Sequence, residues 1–170
     1  MLKAISFIFI FSISITITSN AQMNIPAALE NKVLDSMVGE WVADSEMMGM
    51  PFIQNVKIYW GLNHQFLIVE TQATAKDNTS ISFERKDIIG IDDKGNAKTW
   101  KFDSWGAGSV STGTGFFDGD VVTITEGNDV FKQTTVATVN GNEMVINAKG
   151  SIVTSGKDIG YDNSTTFRRK

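Results

Sequence analysis

Across 170 residues the chain sets 15 basic against 19 acidic side chains, a net charge of −4, and its basic residues lie scattered apart from the terminal Arg168-Arg169-Lys170. A protein that tracks nucleic-acid phosphates needs a basic face, so this distribution opposes nucleic-acid binding and leaves the triplet as a solvated chain end. Cysteine is absent, so disulfides and thiolate metal sites are excluded and a single domain of this length must be held by its core.

Residues 1–21 open with Lys3, continue as an apolar run over 4–17 centred on Phe7-Ile8-Phe9-Ile10-Phe11, and end in Ser19-Asn20-Ala21. A basic start, a short apolar middle and small residues at the end mark a secretory signal peptide cleaved before Gln22. The run is too short, and too diluted by Ser12, Ser14, Thr16 and Thr18, for a permanent membrane anchor. The expected product is an exported single domain, residues 22–170, periplasmic or secreted.

Residues 26–37 carry the one convincing helix after the leader: Pro26 suits a first turn, and Leu29, Val33 and Met37 recur on one face. The helix is expected to cap one end of the fold. Gly39-Glu40-Trp41 then puts a small residue where the chain turns into its first strand and a large ring where the floor of a closed barrel needs plugging. Beyond it, turn signals recur at Asp93-Lys94-Gly95-Asn96, Asp118-Gly119-Asp120, Gly127-Asn128-Asp129, Asn140-Gly141-Asn142 and Ser155-Gly156-Lys157. Between them the patterning predicts strands at 40–45, 53–60, 65–75, 80–91, 97–105, 110–117, 121–126, 131–139, 143–151 and 160–168. Such a meander without a helical crossover predicts an all-β, up-and-down antiparallel barrel of about ten strands, because closure removes exposed edges. A two-sheet sandwich is the competing architecture.

Several residues could carry chemistry. His64, the one histidine, sits between Trp60 and Phe66 beside Gly61 and Asn63, which reads as a solvent-exposed turn; no second histidine or cysteine exists to complete a zinc site. A serine hydrolase is disfavoured because no Gly-x-Ser-x-Gly elbow is present. Glu70 continues the alternation of Phe66 and Ile68, Arg85 that of Ile81 and Phe83, and Asp103 that of Thr99 and Trp105, so each is a candidate for the face occupied by large groups. An arginine with one or two carboxylates inside a barrel either pairs internally or orients the polar head of a ligand. Trp60, Trp100 and Phe102 are placed in packing layers or the barrel lining as ligand contacts. Met47-Met48-Gly49-Met50 reads as a loop folded onto the barrel mouth. Asp92-Asp93 and Asp118-Gly119-Asp120 are hairpin chemistry, since neither fits a calcium loop, and Gly106 to Gly115 reads as a turn and barrel bends.

The stretch Leu34-Asp35-Ser36-Met37-Val38-Gly39-Glu40-Trp41 resembles the start of the bacterial family known as domain of unknown function 1579, related to nitrobindin-like and lipocalin-like (calycin) barrels. Trp60-Gly61-Leu62-Asn63-His64-Gln65-Phe66-Leu67 is similar to its second landmark. Asp103-Ser104-Trp105-Gly106 and Gly113-Thr114-Gly115 with Asp118-Gly119-Asp120 are similar to its later motifs. The resemblance implies a barrel whose interior holds a small molecule, with no established catalytic activity. Nitrobindin-like relatives bind haem through a late histidine, and nothing after His64 can serve here. Haem in that manner is therefore not expected, nor any other cofactor or metal.

The functional expectation is thus a non-catalytic exported barrel binding a small, largely apolar molecule, with Arg85, Glu70, Asp103, Trp100, Phe102 and Trp60 as contacts. An enzyme using the same cavity and a packed structural or interaction module are the alternatives.

Overall fold

The computed structural model describes residues 26–47, 49–154 and 156–170; the proposed leader, 1–21, lies outside the described residues. One short helix, α1 (Lys32–Met37), precedes ten strands: β1 Gly39–Met47, β2 Met50–Gly61, β3 Phe66–Ala75, β4 Ser82–Ile91, β5 Ala97–Asp103, β6 Ser111–Asp118, β7 Val121–Gly127, β8 Phe131–Asn140, β9 Glu143–Thr154 and β10 Lys157–Arg169. Each strand pairs antiparallel with the next, and β1 pairs with β10, closing the ring. The sandwich alternative is thereby overturned.

The helix is shorter than its apolar spacing predicts. Asn31 caps it, its side-chain oxygen accepting from the Leu34 N–H (3.0 Å), and residues 26–31 run non-helically before it. Those residues are drawn instead onto the β2–β3 turn. The Leu29 N–H donates to the His64 carbonyl (3.0 Å) and the Gln65 side-chain amide donates to the Ala27 carbonyl (2.7 Å). A backbone whose donors and acceptors are already engaged elsewhere has nothing to gain from a helical turn.

Helix α1 covers one end of the barrel. Val33, Leu34 and Met37 are buried against it, Leu34 completely. Trp41, also fully buried, stands at the floor, and its Nε1–H donates to the Met37 carbonyl (2.8 Å), tying the plug to the end of the helix. Arg169 completes this closure from the last strand. Its guanidinium lies over the Trp41 ring, 4.1 Å from the centroid, and donates to the Val38 (2.6 Å) and Ser36 (3.0 Å) carbonyls at the end of the helix. A Cβ on Gly39, which has φ +144°, would collide with that guanidinium, so the small residue is what lets Arg169 reach across.

The strand alternation sends Trp41, Ile58, Leu67, Val69, Ile89, Ala97, Val122, Ala137, Met144 and Phe167 into one continuous core near the helix end. A second, smaller cluster of Phe52, Ala73 and Ala75, with Met47 and Phe83 against it, sits toward the opposite end, where the β1–β2 and β3–β4 hairpins lie. Between β1 and β10 only Trp41 opposite Arg169 and Val42 opposite Arg168 are in register, with the Lys170 N–H donating to the Glu40 carbonyl (2.9 Å) beside them. Toward the other end these two strands have no registered pairing with each other among the described residues.

Candidate functional site

A cavity of about 240 Å³ lies inside the barrel. Its helix-end half is apolar, walled by Ile58, Val69, Ile89, Val122, Met144 and Phe167. Its other half is polar, because inward positions nearer the open end carry charged and amide side chains instead. The two halves make the cavity amphiphilic.

On β5, β7, β8 and β10 the polar groups satisfy one another. Tyr161 Oη–H donates to the Gln133 side-chain carbonyl (2.8 Å), and the Gln133 amide donates to Glu126 (3.0 Å) and to the Thr135 hydroxyl (2.8 Å). Glu126 in turn pairs with the Lys101 ammonium, and both side chains are almost fully buried. Lys101 also lies 5.5 Å from the Phe131 ring centroid. Burial holds the Tyr161 phenol above the usual tyrosine range, with the Glu126 carboxylate reinforcing the shift. A buried ion pair of this kind is stable only when its remaining hydrogen-bonding capacity is met, which is what Gln133 does for Glu126.

On β3, β4 and β5 the inner wall is less complete. Arg85 and Asp87 pair through Nε and Oδ2 (3.0 Å). The other Asp87 oxygen, the hydroxyls of Thr71 and Thr99, and the Arg85 Nε–H, which approaches Asp87 without a hydrogen-bonding alignment, are buried with no hydrogen-bond partner in the protein, and all four side chains line the cavity. Gly113 makes room for this arrangement. A Cβ there would stand 2.7 Å from both the Glu126 Cβ and the Thr99 hydroxyl.

Of the six residues the sequence nominated, Arg85 faces the cavity and Asp103 lies on the same inward parity at the end of β5. Asp103 is engaged by its own loop, accepting from the Trp105 N–H (3.0 Å) and the Ser109 hydroxyl. Glu70 corrects the alternation argument: it faces outward, paired to Lys86 (2.8 Å) and accepting from Tyr59 (3.1 Å). That pairing, Lys86 first and then Tyr59, holds the Glu70 carboxyl below its ordinary range. Phe66 and Ile68, the large residues that suggested an inward Glu70, lie on the outer face, while Leu67, Val69 and Thr71 fill the inside. Trp100 and Phe102 are likewise outside, 38% and 43% exposed. Trp60 stays at the closed end, outside the cavity lining, where its Nε1–H donates to Asp35 (2.9 Å) and its ring stacks on His64 at 4.2 Å. His64 is accordingly half-buried rather than free in solvent.

A wider, open concavity of about 690 Å³ runs over the outer face of β1–β5, past Lys57, Glu70, Glu84, Lys86 and Phe102. It is a saddle in the barrel wall where solvated charges pair with each other, and it encloses nothing. The interior is the better candidate despite its smaller volume. Sequence reasoning passed over Asp87, Lys101, Glu126, Gln133, Tyr161, Thr71 and Thr99. The signal that would have found them is parity: Asp103 inward on β5 forces Thr99 and Lys101 inward with it, and Trp100 and Phe102 out.

The fold and cavity define a closed up-and-down β-barrel with an amphiphilic interior. No protein-family model matches the sequence, and comparison with curated proteins finds no match.

Proposed function

We propose that this protein is an exported barrel that binds a small molecule in its interior, the apolar body of the ligand against Ile58, Val69 and Val122 and its polar end among Arg85, Asp87, Thr71 and Thr99. The observation that carries the reading is the interior cavity of about 240 Å³, open at one end, with one apolar and one polar half. Ligand pockets are typically about 300–1,000 Å³, so the volume favours a compact ligand over a long acyl chain. A fully packed structural barrel would leave no such space.

Native mass spectrometry of the full chain, expressed in and purified from its own host, tests this. A stoichiometric small-molecule adduct is expected, and an adduct-free mass that persists after incubation with a panel of compact amphiphiles would defeat the reading. The same spectrum reports on export: a mass beginning at Gln22 is expected, and a retained residue 1–21 segment would remove the signal-peptide reading.

A further inference from the structure

The interior wall is asymmetric in its hydrogen bonding. Tyr161, Gln133, Glu126 and Lys101 are bonded to one another, whereas Thr71, Asp87 and Thr99, and Arg85 through its Nε–H, each present an atom without a hydrogen-bond partner to the same cavity. Thr71 and Thr99 are 5% and 4% exposed, so solvent at the barrel surface does not satisfy them. Thr71 stands opposite Arg85, Asp87 opposite Lys101, and Thr99 opposite Ile89. Asp87 therefore sits diagonal to each threonine, about 7–8 Å away at the backbone, with Thr71 and Thr99 on opposite sides of it. A short polar group can bridge Asp87 and either threonine.

The chemistry of the row selects its occupant. Asp87 Oδ1 can only accept, while each threonine hydroxyl both donates and accepts. A carbonyl would leave Asp87 unmet, whereas a hydroxyl donates to Asp87 and accepts from one threonine. The buried charges lining the same cavity cancel in pairs, Arg85 with Asp87 and Lys101 with Glu126, and the other lining charge, Glu46, is exposed to solvent. A ligand with net charge would bring an uncompensated ion into a low-dielectric interior, at high cost. The apolar half fixes the rest of the molecule, since an apolar cavity of about 150 Å³ is known to hold benzene. A cavity of about 240 Å³ takes one ring and a short polar arm.

Resting on the interior-binding reading above, we infer that the ligand class is a neutral, hydroxyl-bearing molecule with a single-ring apolar body, its hydroxyl donating to Asp87 and accepting from Thr71 or Thr99. The threonine hydroxyls belong to the binding function rather than to the fold. They make no hydrogen bond to protein, so replacing them with the isosteric valine removes desolvated polar atoms without breaking a pair.

The test is calorimetric titration of the full chain with four congeners sharing one body: ethylbenzene, phenylethyl alcohol, phenylethylammonium and phenylacetate. In the parent protein the alcohol is expected to bind about tenfold more tightly than the other three. In Thr71→Val/Thr99→Val that advantage disappears while ethylbenzene binds no more weakly than to the parent, and the Tm of the ligand-free variant is no lower than that of the parent. Equal binding of the hydrocarbon and the alcohol would overturn the inference while leaving interior binding intact. So would preference for either ion, an alcohol affinity indifferent to the double substitution, or a lowered ligand-free Tm, which would make the hydroxyls structural. Failure of all four congeners to bind would count against interior binding itself.

Discussion

At the scale of single residues, Trp41 and Arg169 do the most for stability. Trp41→Ala removes the floor of the barrel and its bond to the Met37 carbonyl, and should cost about 3–5 kcal/mol in urea unfolding. Arg169→Met keeps the stem but abandons the Val38 and Ser36 carbonyls and the stacking on Trp41, for a loss of about 1.5–3 kcal/mol. Lys101→Met leaves Glu126 as an unpaired buried carboxylate and should destabilise by about 3–5 kcal/mol. Lys101→Met/Glu126→Leu should recover much of that loss, and failure to recover would mean that Gln133 and Tyr161 depend on the carboxylate. The two tyrosines titrate late: the Tyr59 phenol is raised first by its bond to Glu70, and Tyr161 first by burial. Because the folded state holds the Tyr161 proton more tightly than the unfolded chain does, its contribution to stability is complete below the unfolded pKa of about 10 and is lost as pH climbs through the higher folded value. Phenolate absorbance of Tyr59→Phe, which leaves Tyr161 alone, should show a midpoint above that of free tyrosine.

At the scale of elements, the strands were legible and their faces less so. Ten alternating segments divided by Asn-Gly, Asp-Gly and Lys-Gly turns predict ten strands, and each observed strand covers most of its predicted one. Alternation alone does not say which parity is inside. On β3 both faces carry large residues, Phe66 and Ile68 outside against Leu67 and Val69 inside, so Glu70 could not be assigned without the neighbouring strands. On β5, Trp100 and Phe102 drew attention by size although Ala97, Thr99 and Lys101 are the buried set. Arg85 was legible because β4 offers fewer large residues on its outer face near the loop end. The helix was over-long in prediction because hydrophobic spacing cannot register that residues 27 and 29 bond to the β2–β3 turn. Gly113→Ala tests how tightly β6 is held: with Glu126, Thr99 and the Thr125 carbonyl each 2.7 Å from the new Cβ, a loss of about 1–3 kcal/mol is expected in denaturant titration.

At the scale of the whole molecule, one principal core runs around the ring, so unfolding should be a single transition with tryptophan fluorescence and far-ultraviolet dichroism coinciding. The seam between β1 and β10 is the exception to uniform stability. Beyond Val42 and Arg168 the two strands have no registered partners on each other, so alternate amides of β10 between Asp158 and Thr166 should exchange faster than those of β9. Uniform protection along both strands would show that the seam is zipped in solution.

That short seam also gives the barrel a direction of mechanical weakness. The start of β1 and the end of β10 lie side by side at the helix end, so tension applied between Gly39 and Lys170 falls on the pairs Trp41–Arg169 and Val42–Arg168 one after another. They would peel like a zip, with the Arg169 contacts to Trp41, Val38 and Ser36 as the first catch to give before the cylinder unrolls into a ribbon. The same protein gripped at Glu143 and Thr154 would be stretched along β9, whose ladders to β8 and β10 must slide in shear together. A tether at the chain ends and a tether along β9 would thus meet two different materials.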